Sequence, residues 1–389
     1  MESENNSVMM TKNWLINSGI QNISLDTRTN GGFNSWYDLE EKKYPYIYSE
    51  ITGYGITTLL YLYKQTKEEM LLDRAKMAAD WLINVAMHKS GGVKTRDYLQ
   101  DTHEAGMYSF DSEILYSFDI GMVLFGLINL YKTTEIEVYL DNSKKIADFL
   151  LTMQRPDGSI FASYDAKTGE MRDETGKWSS QSGSFHCKCA MGLIDLYEVT
   201  GDEKYLTSAN ALCDAALKMQ EDNGRFVSFR DTGGTHVHPH SYSAEGLLYV
   251  GVKTHNKKYM EAAAKAVEWT LMNQLDTGGV PSMYVDDKPN TNERVDTLAQ
   301  TLRLGVLATQ YGCMLDDHVI ERMAKLKDRL ISLQHIGEGS QKGGFYFGFE
   351  DGNKMNHVNS WCSMFALQAL DMYDKFFNNN QNVFIDLLV

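Results

Sequence analysis

Three acids stand at the heads of otherwise apolar stretches: Glu50, Asp119 and Glu245. An acid at the head of a buried helix either supports the helix end or faces a cleft. Two carboxyls facing a cleft can carry out glycosyl transfer: one acid protonates the leaving oxygen and its partner, as base, activates water. Glu245 is the deepest of the three, and a buried carboxylate needs a partner. Histidines stand at the same places. The run His236-Val237-His238-Pro239-His240-Ser241-Tyr242-Ser243-Ala244-Glu245 is the most unusual in the chain. Imidazoles titrate near neutrality and move protons, so His240 and His357 join the three acids as catalytic candidates. Alternating histidines on an extended segment would share one face and could ligate a metal. No HExxH or paired CxxC accompanies them, so no metal is expected.

The candidates for holding a substrate are Tyr48, Trp36, Trp178, His186, His238, Tyr242, Arg294, Asp296 and Trp361. Aromatic faces beside polar groups suit sugar rings, whose C–H faces are edged with hydroxyls. Arg294 with Asp296 reads equally as a structural ion pair or as a clamp for an anionic group. In His186-Cys187-Lys188-Cys189, helical spacing splays the two thiols apart, which makes them small core residues. Neither a Walker A loop nor a dinucleotide fingerprint occurs, and no cofactor is expected.

The elements that must position these residues follow from an internal repeat. Leu59-Leu60-Tyr61-Leu62-Tyr63-Lys64-Gln65-Thr66 returns as Leu127 to Thr134, as Leu193 to Thr200 and, more loosely, as Leu247 to Thr254. Five residues after each threonine a second helix begins, with one apolar stripe such as Tyr205, Leu206, Ala209, Leu212, Cys213, Ala216 and Leu217. A glutamine recurs at the end of that helix (Gln154, Gln220, Gln274, Gln334), and a glycine follows (Gly32, Gly92, Gly158, Gly224, Gly279, Gly344). Six copies give amphipathic helices near 4–18, 70–87, 138–154, 203–220, 257–274 and 317–334. A second set near 48–65, 116–132, 184–199, 241–254, 295–310 and 358–375 is apolar on nearly all sides, and such helices are buried. The expected fold is therefore all-α, an (α/α)6 toroid with six buried helices inside six amphipathic ones, formed as one domain over 1–389 with a polar N-terminal tail at about 1–7 and a C-terminal tail at about 377–389. An open solenoid is the competing architecture. Long loops fall only where the buried helices start, and long loops in a compact domain usually carry function.

Composition narrows the partners. The 389 residues carry a net charge of −15, which argues against a nucleic-acid backbone as ligand. No apolar run is long enough to span a membrane. The start Met-Glu-Ser-Glu-Asn-Asn-Ser lacks the features of a signal peptide, and five scattered cysteines suit reduced thiols. Both point to the cytoplasm.

Units such as Leu196-Tyr197-Glu198-Val199-Thr200-Gly201-Asp202-Glu203-Lys204-Tyr205-Leu206 resemble the hairpin turns of the six-hairpin glycosidase superfamily, and the likeness runs from Trp14 to about Phe376. The resemblance implies a carbohydrate-active enzyme. Within the superfamily, unsaturated glucuronyl hydrolases use paired aspartates and acylglucosamine epimerases use paired histidines; Asp119 and His240/His357 are assignable to either. The helix from Tyr48-Ser49 to Leu59-Leu60 is also similar to one in glucuronyl epimerases, which use tyrosines and a glutamate. The leading expectation is a glycoside hydrolase acting on an oligosaccharide, uronic-acid-bearing ones included. A sugar epimerase using His or Tyr pairs is the alternative, and a glycan- or peptide-binding toroid the non-enzymatic one.

Overall fold

The computed structural model describes residues 2–98, 113–174, 176–229, 232–286, 288–314 and 317–389. Six helices form an outer layer: α1 (Glu2–Asn17), α3 (Glu69–Trp81), α5 (Glu137–Thr152), α7 (Glu203–Leu217), α9 (Lys257–Met272) and α11 (Asp317–Ser332). Between them in sequence run the inner helices α2 (Ser49–Thr66), α4 (Ser117–Thr134), α6 (Ala190–Thr200), α8 (Val237–Thr254), α10 (Val295–Gln310) and α12 (Ser360–Tyr373). Inner helices are covered on every side; α2, for example, is buried continuously from Ser49 to Leu62. Outer helices bury one stripe, as α7 does with Tyr205, Ala209, Leu212, Cys213 and Ala216. Each inner helix packs on the next, α2 on α4 and so on to α12, and α12 packs back on α2. The ring is closed, and the fold is the all-α six-hairpin toroid.

The repeated residues have mechanical reasons. Thr66, Thr134, Thr200 and Thr254 end inner helices, their hydroxyls bonding back to the carbonyls of Leu62, Leu130, Leu196 and Val250. The next residue turns left-handed, and only one of these four, Gly201, is a glycine; the others are Lys67, Glu135 and His255. Each recurring glutamine is a staple between neighbours. Gln154 Nε2 donates to Gly158 O in its own loop and to Ser208 O in α7, both at 3.1 Å. Gln220 reaches Ala262 in α9, and Gln274 reaches Arg322 in α11. Gln334 donates to Ser7 O at 3.0 Å and so joins the last repeat to the first. The same seam presses Gly343, at φ +100°, onto α1; a Cβ there would lie 2.2 Å from Met10 O.

Short antiparallel strands, which the sequence pattern does not reveal, set the helix heads. Tyr46–Tyr48, Ile114–Tyr116, Thr235–His236, Glu293–Arg294 and His357–Asn359 run directly into α2, α4, α8, α10 and α12. Each pairs with a strand from another loop, Tyr46–Tyr48 with Arg96–Tyr98 for example.

Three expectations change. Helix α8 begins at Val237, four residues before 241, so His238 and His240 are helical and their side chains do not share a face, while His236 ends the strand ahead of the helix. The supposed N-terminal tail is mostly helix, since α1 reaches back to Glu2, and Ser7 is buried. At the other end the expected C-terminal tail is packed into the fold, with Ile385, Leu387, Leu388 and Val389 among the core residues. Cys187 and Cys189 are buried among the core, as expected. Among the described residues no helix is long and apolar enough to cross a membrane.

Candidate active site

Where the inner helices begin, a cavity of about 310 Å³ lies on the ring axis. All six inner elements contribute to it: Tyr48 and Glu50 from the head of α2, Tyr116 and Asp119 from α4, Phe185 from the 3₁₀ turn leading into α6, His236, His238 and Tyr242 from α8, Arg294 ahead of α10, and Trp361 from α12. Trp178 and Phe347 close its sides from the long loops, and Arg96 enters on the strand beside Tyr48.

Glu50 and Asp119 sit in the first turns of adjacent helices, and neither helix has a side-chain cap, so these acids are not caps. Burial pushes the Asp119 carboxyl well above the ordinary carboxylate range, and the neighbouring Glu50 charge adds to it against the pull of Arg96. Glu50 is raised too, chiefly by burial, while hydrogen bonds from Tyr48 and Tyr54 favour its ionised form. Two interacting buried carboxyls favour sharing one proton. Asp119 is the better holder, because its Oδ2 has no hydrogen-bond partner among the described residues and Glu50 is better served by donors.

Across the ring, α8 faces α2. His238 Nδ1 lies 2.7 Å from Gln300 Oε1 and 3.5 Å from Asp296 Oδ2. Burial lowers its pKa to about 4, although Asp296 opposes the shift. Asp296 is itself fixed by both arms of the Arg294 guanidinium and by Trp361 Nε1 at 2.9 Å. Burial, then the Arg294 charge, hold its neighbour His236 well below the usual histidine range, with Arg294 Nη1 3.0 Å from His236 Nε2.

One helical turn deeper, Tyr54 and Tyr242 meet at 3.0 Å between their hydroxyls. Beneath them Lys188 Nζ bonds Glu245 Oε2 at 2.7 Å, and Arg303 grips the other carboxylate oxygen. Lys188 and Arg303 also donate to Val389 O.

Six sequence candidates therefore fall elsewhere. Glu245 is locked in that ion cluster below the floor, its pKa lowered by Arg303 and Lys188 against burial; the partner it needs is structural. His240 points outward, accepting from Phe226 N at 3.1 Å and meeting Ala266 O at 3.0 Å, and it does not line the cavity. His357 stacks on Phe347 with ring centroids 4.9 Å apart, one layer behind the wall. Trp36 packs on His357 and Trp361 in that same layer. His186 lies under Phe185, 4.0 Å between ring centroids. Asp296 holds wall residues without lining the cavity. Tyr48, Glu50, Asp119, Trp178, His238, Tyr242, Arg294 and Trp361 do converge there.

Sequence reasoning passed over Arg96, Tyr116, Phe118 and Phe185, and weighed His236 only within the histidine run. Arg96 is placed by strand pairing, which left no periodic signal. Tyr116 and Phe118 flank Asp119 at a helix head, a position that could have flagged them.

An axial cavity of acids, imidazoles and aromatic rings in a six-hairpin toroid defines a carbohydrate-active class, the six-hairpin glycosidase-like superfamily. The chain belongs to glycosyl hydrolase family 47, whose family model matches residues 6–324. A cellobiose 2-epimerase from Bacillus thermoamylovorans B4167 has a similar fold: TM-score 0.76 at 13% identity, covering 94% of this chain and 99% of that one. A sugar epimerase from a ruminal bacterium is similar at TM-score 0.78 and 12% identity, covering 95% and 99%. An unsaturated glucuronyl hydrolase specific for heparin matches at TM-score 0.68 and 12% identity, covering 97% and 98%. In sequence, the uncharacterized Caenorhabditis elegans protein B0495.5 is 28% identical over 163 residues, 41% of this chain but only 22% of that protein's length.

Proposed function

We propose that the chain is a glycoside hydrolase in which Asp119 donates a proton to the leaving oxygen and His238 activates water from the opposite wall. The observation that carries this reading is the placement of a proton-holding carboxyl pair and a neutral imidazole on facing sides of one axial cavity. Glu50 and Asp119 hydrogen-bond each other, too close to flank a scissile bond, because acid and base in such enzymes stand about 5–9.5 Å apart. The base must then come from another wall. His238 suits the task. The Asp296 carboxylate near Nδ1 is an acceptor, which favours the proton on Nδ1 and leaves Nε2 its lone pair. Asp296 stabilises the imidazolium that forms when Nε2 takes a proton from water. Base and acid on opposite faces of the sugar give inversion.

Trp178, Tyr242, Phe347 and Trp361 offer ring faces and edges to a sugar, and Arg96 and Arg294 make acidic sugars candidates alongside neutral oligosaccharides. The family's description as glycosyl hydrolases supports hydrolysis. A second reading, sugar epimerisation, draws on the same two-wall arrangement, which serves proton removal on one face and return on the other; two of the similar structures are epimerases. A panel of neutral and uronic-acid-bearing oligosaccharides incubated in heavy water separates them. New reducing ends establish hydrolysis. Deuterium on carbon without cleavage establishes epimerisation and overturns the hydrolase. Binding without either change overturns both.

A further inference from the structure

We infer that Arg96 is a positioning residue for the proposed reaction: two tyrosine rings hold its guanidinium beside the Glu50–Asp119 pair, as the counter-charge that lets the pair give up its proton. The inference rests on the reading of that pair as the proton donor.

A three-residue strand brings the charge in. Arg96–Tyr98 pairs antiparallel with Tyr46–Tyr48, Arg96 opposite Tyr48, and Thr95 O accepts from Ser49 N at 2.9 Å. The strand is thereby pinned to the first residue of α2, one position before Glu50. Residues opposite each other in such a pair share a face, as do residues two apart along one strand. Arg96, Tyr48 and Tyr46 therefore lie on one side of the ribbon. The Arg96 guanidinium carbon stands 4.7 Å from the Tyr48 ring centroid and 5.4 Å from that of Tyr46, within the range of cation–π attraction. Both tyrosines are buried, so the platform is fixed. Asp97, the next residue, lies on the opposite face, where it accepts from Arg28 Nε at 3.3 Å. Arg96 itself lines the cavity together with Glu50 and Asp119.

The pair needs such a charge at one moment above all. With one proton shared, it carries a single negative charge. When the Asp119 O–H bond breaks and the leaving oxygen takes the proton, it carries two, and adjacent carboxylates repel. Burial, then the Glu50 charge, hold the proton on Asp119, and Arg96 opposes both. Burial raises Glu50 as well, and Arg96 is among the groups that oppose it. The other groups facing the pair are Tyr48 and Tyr54 from α2, Tyr116 from α4, Tyr242 from α8, and Lys188 and Cys189 from the 3₁₀ turn before α6. Lys188 is bound to Glu245, and across the cavity Arg294 is bound to Asp296, whereas Arg96 acts on both members of the pair.

The test follows the infrared band of the protonated carboxyl, assigned by its loss in Asp119→Asn, in full-length protein without substrate. In Arg96→Gln the band should persist to higher pH, its titration moved up by about one to three pH units. In Arg96→Lys it should return toward the wild-type value. Arg96→Leu, which keeps apolar contact with both rings, serves if Arg96→Gln does not fold. A titration that stays put, or moves down, overturns the inference. On any neutral sugar turned over in the oligosaccharide panel, Arg96→Gln should lower kcat with KM unchanged, by less than the roughly 10²-fold cost of losing the acid itself. The alkaline limb of the pH profile should move up with the band. An unchanged kcat beside a shifted band overturns the role in proton release. A loss confined to KM for uronic-acid-bearing sugars, with band and alkaline limb unmoved, overturns it too and makes Arg96 the holder of the substrate's anion. Failure of the pair as donor shows separately, as full turnover by Asp119→Asn.

Discussion

His238 Nδ1 lies 2.7 Å from Gln300 Oε1, and the carboxylate of Asp296 approaches the same nitrogen at 3.5 Å. The Asp296 carboxylate is an acceptor whichever way the Gln300 amide is turned, and it favours the proton on Nδ1 and the lone pair on Nε2. The relationship is set by the ring, since Gln300 and Asp296 share one helix, α10, and clamp a residue of the preceding inner helix.

Histidine ¹⁵N spectra should accordingly show His238 protonated at Nδ1 alone at pH 7, and doubly protonated only on approaching about pH 4. Its folded pKa lies below the unfolded one, near 6.5. As pH falls between those values, the unfolded chain takes up a proton that the folded one refuses, and stability drops. If His238 is the base, activity falls through its titration on the acid side. His238→Asn should cost about 10²-fold or more in turnover. An Nε2-protonated ring would remove His238 as the base.

The carboxyl pair has the opposite sign. Asp119 is raised in the fold, so between its unfolded pKa of about 4 and its folded one the native state keeps a proton that the unfolded state releases. Stability therefore declines as pH rises through that window. Asp119→Asn removes the penalty. The variant should melt higher than the wild type at pH 7, with the gain shrinking toward pH 4, while turnover falls by about 10²-fold or more. A variant destabilised at pH 7 would mean that Asp119 is a structural acid.

Glu245 should behave in reverse. Its two oxygens neutralise Lys188 and Arg303, all three with fully buried side chains. Breaking a buried ion cluster from one side leaves uncompensated charge and costs about 3–5 kcal/mol. Glu245→Gln should lower the denaturation midpoint by that order, while the folded fraction turns substrate over normally. Loss of turnover in fully folded variant would return Glu245 to the reaction.

These contrasts mark what was legible in the sequence. The period of the inner helices, apolar on all faces, specified their burial, and the repeat count specified the ring. Glu50 and Asp119 were legible as acids at the heads of such helices, and His238 as a substrate-holding residue of the histidine run. Depth was not. Glu245 and Tyr242 lie only three residues apart, yet one joins an ion cluster under the floor and the other lines the cavity. His240 differs from His238 by two positions, which on a helix turns it away from the axis to meet Ala266 O in α9. Arg96 reached the site through a strand of three residues in a loop, where pairing partner and not periodicity decides position. Lys188 read as a residue between two cysteines; nothing local announced that its ammonium would find Glu245 fifty-seven residues away.

The closure of the ring gives the last test, because it depends on one side chain in a way the other staples do not. Gln154, Gln220 and Gln274 tie consecutive repeats that the chain already connects. Gln334 ties repeats at opposite ends of the sequence, donating to Ser7 O at 3.0 Å, Gly343 O at 2.9 Å and Thr11 Oγ1 at 2.9 Å, while its Oε1 accepts from Ser7 Oγ at 2.8 Å. Gln334→Ala removes these bonds and leaves the buried Ser7 hydroxyl without its acceptor, while Thr11 Oγ1 still bonds Ser7 O and Gly343 O, at a cost of about 1–3 kcal/mol. The loss should be local before it is global. Amide exchange in α1 should accelerate by the factor that cost implies, while α7 and α9 keep their protection until the chain unfolds as a whole. In Gln220→Ala the loosening should fall instead on α9, whose far side remains held by Gln274 and by the chain itself, and the effect on the midpoint should be smaller. Equal midpoints for the two variants, with α1 exchange unchanged in Gln334→Ala, would show that the seam is held by packing around Trp14 and Gly344 and not by the glutamine.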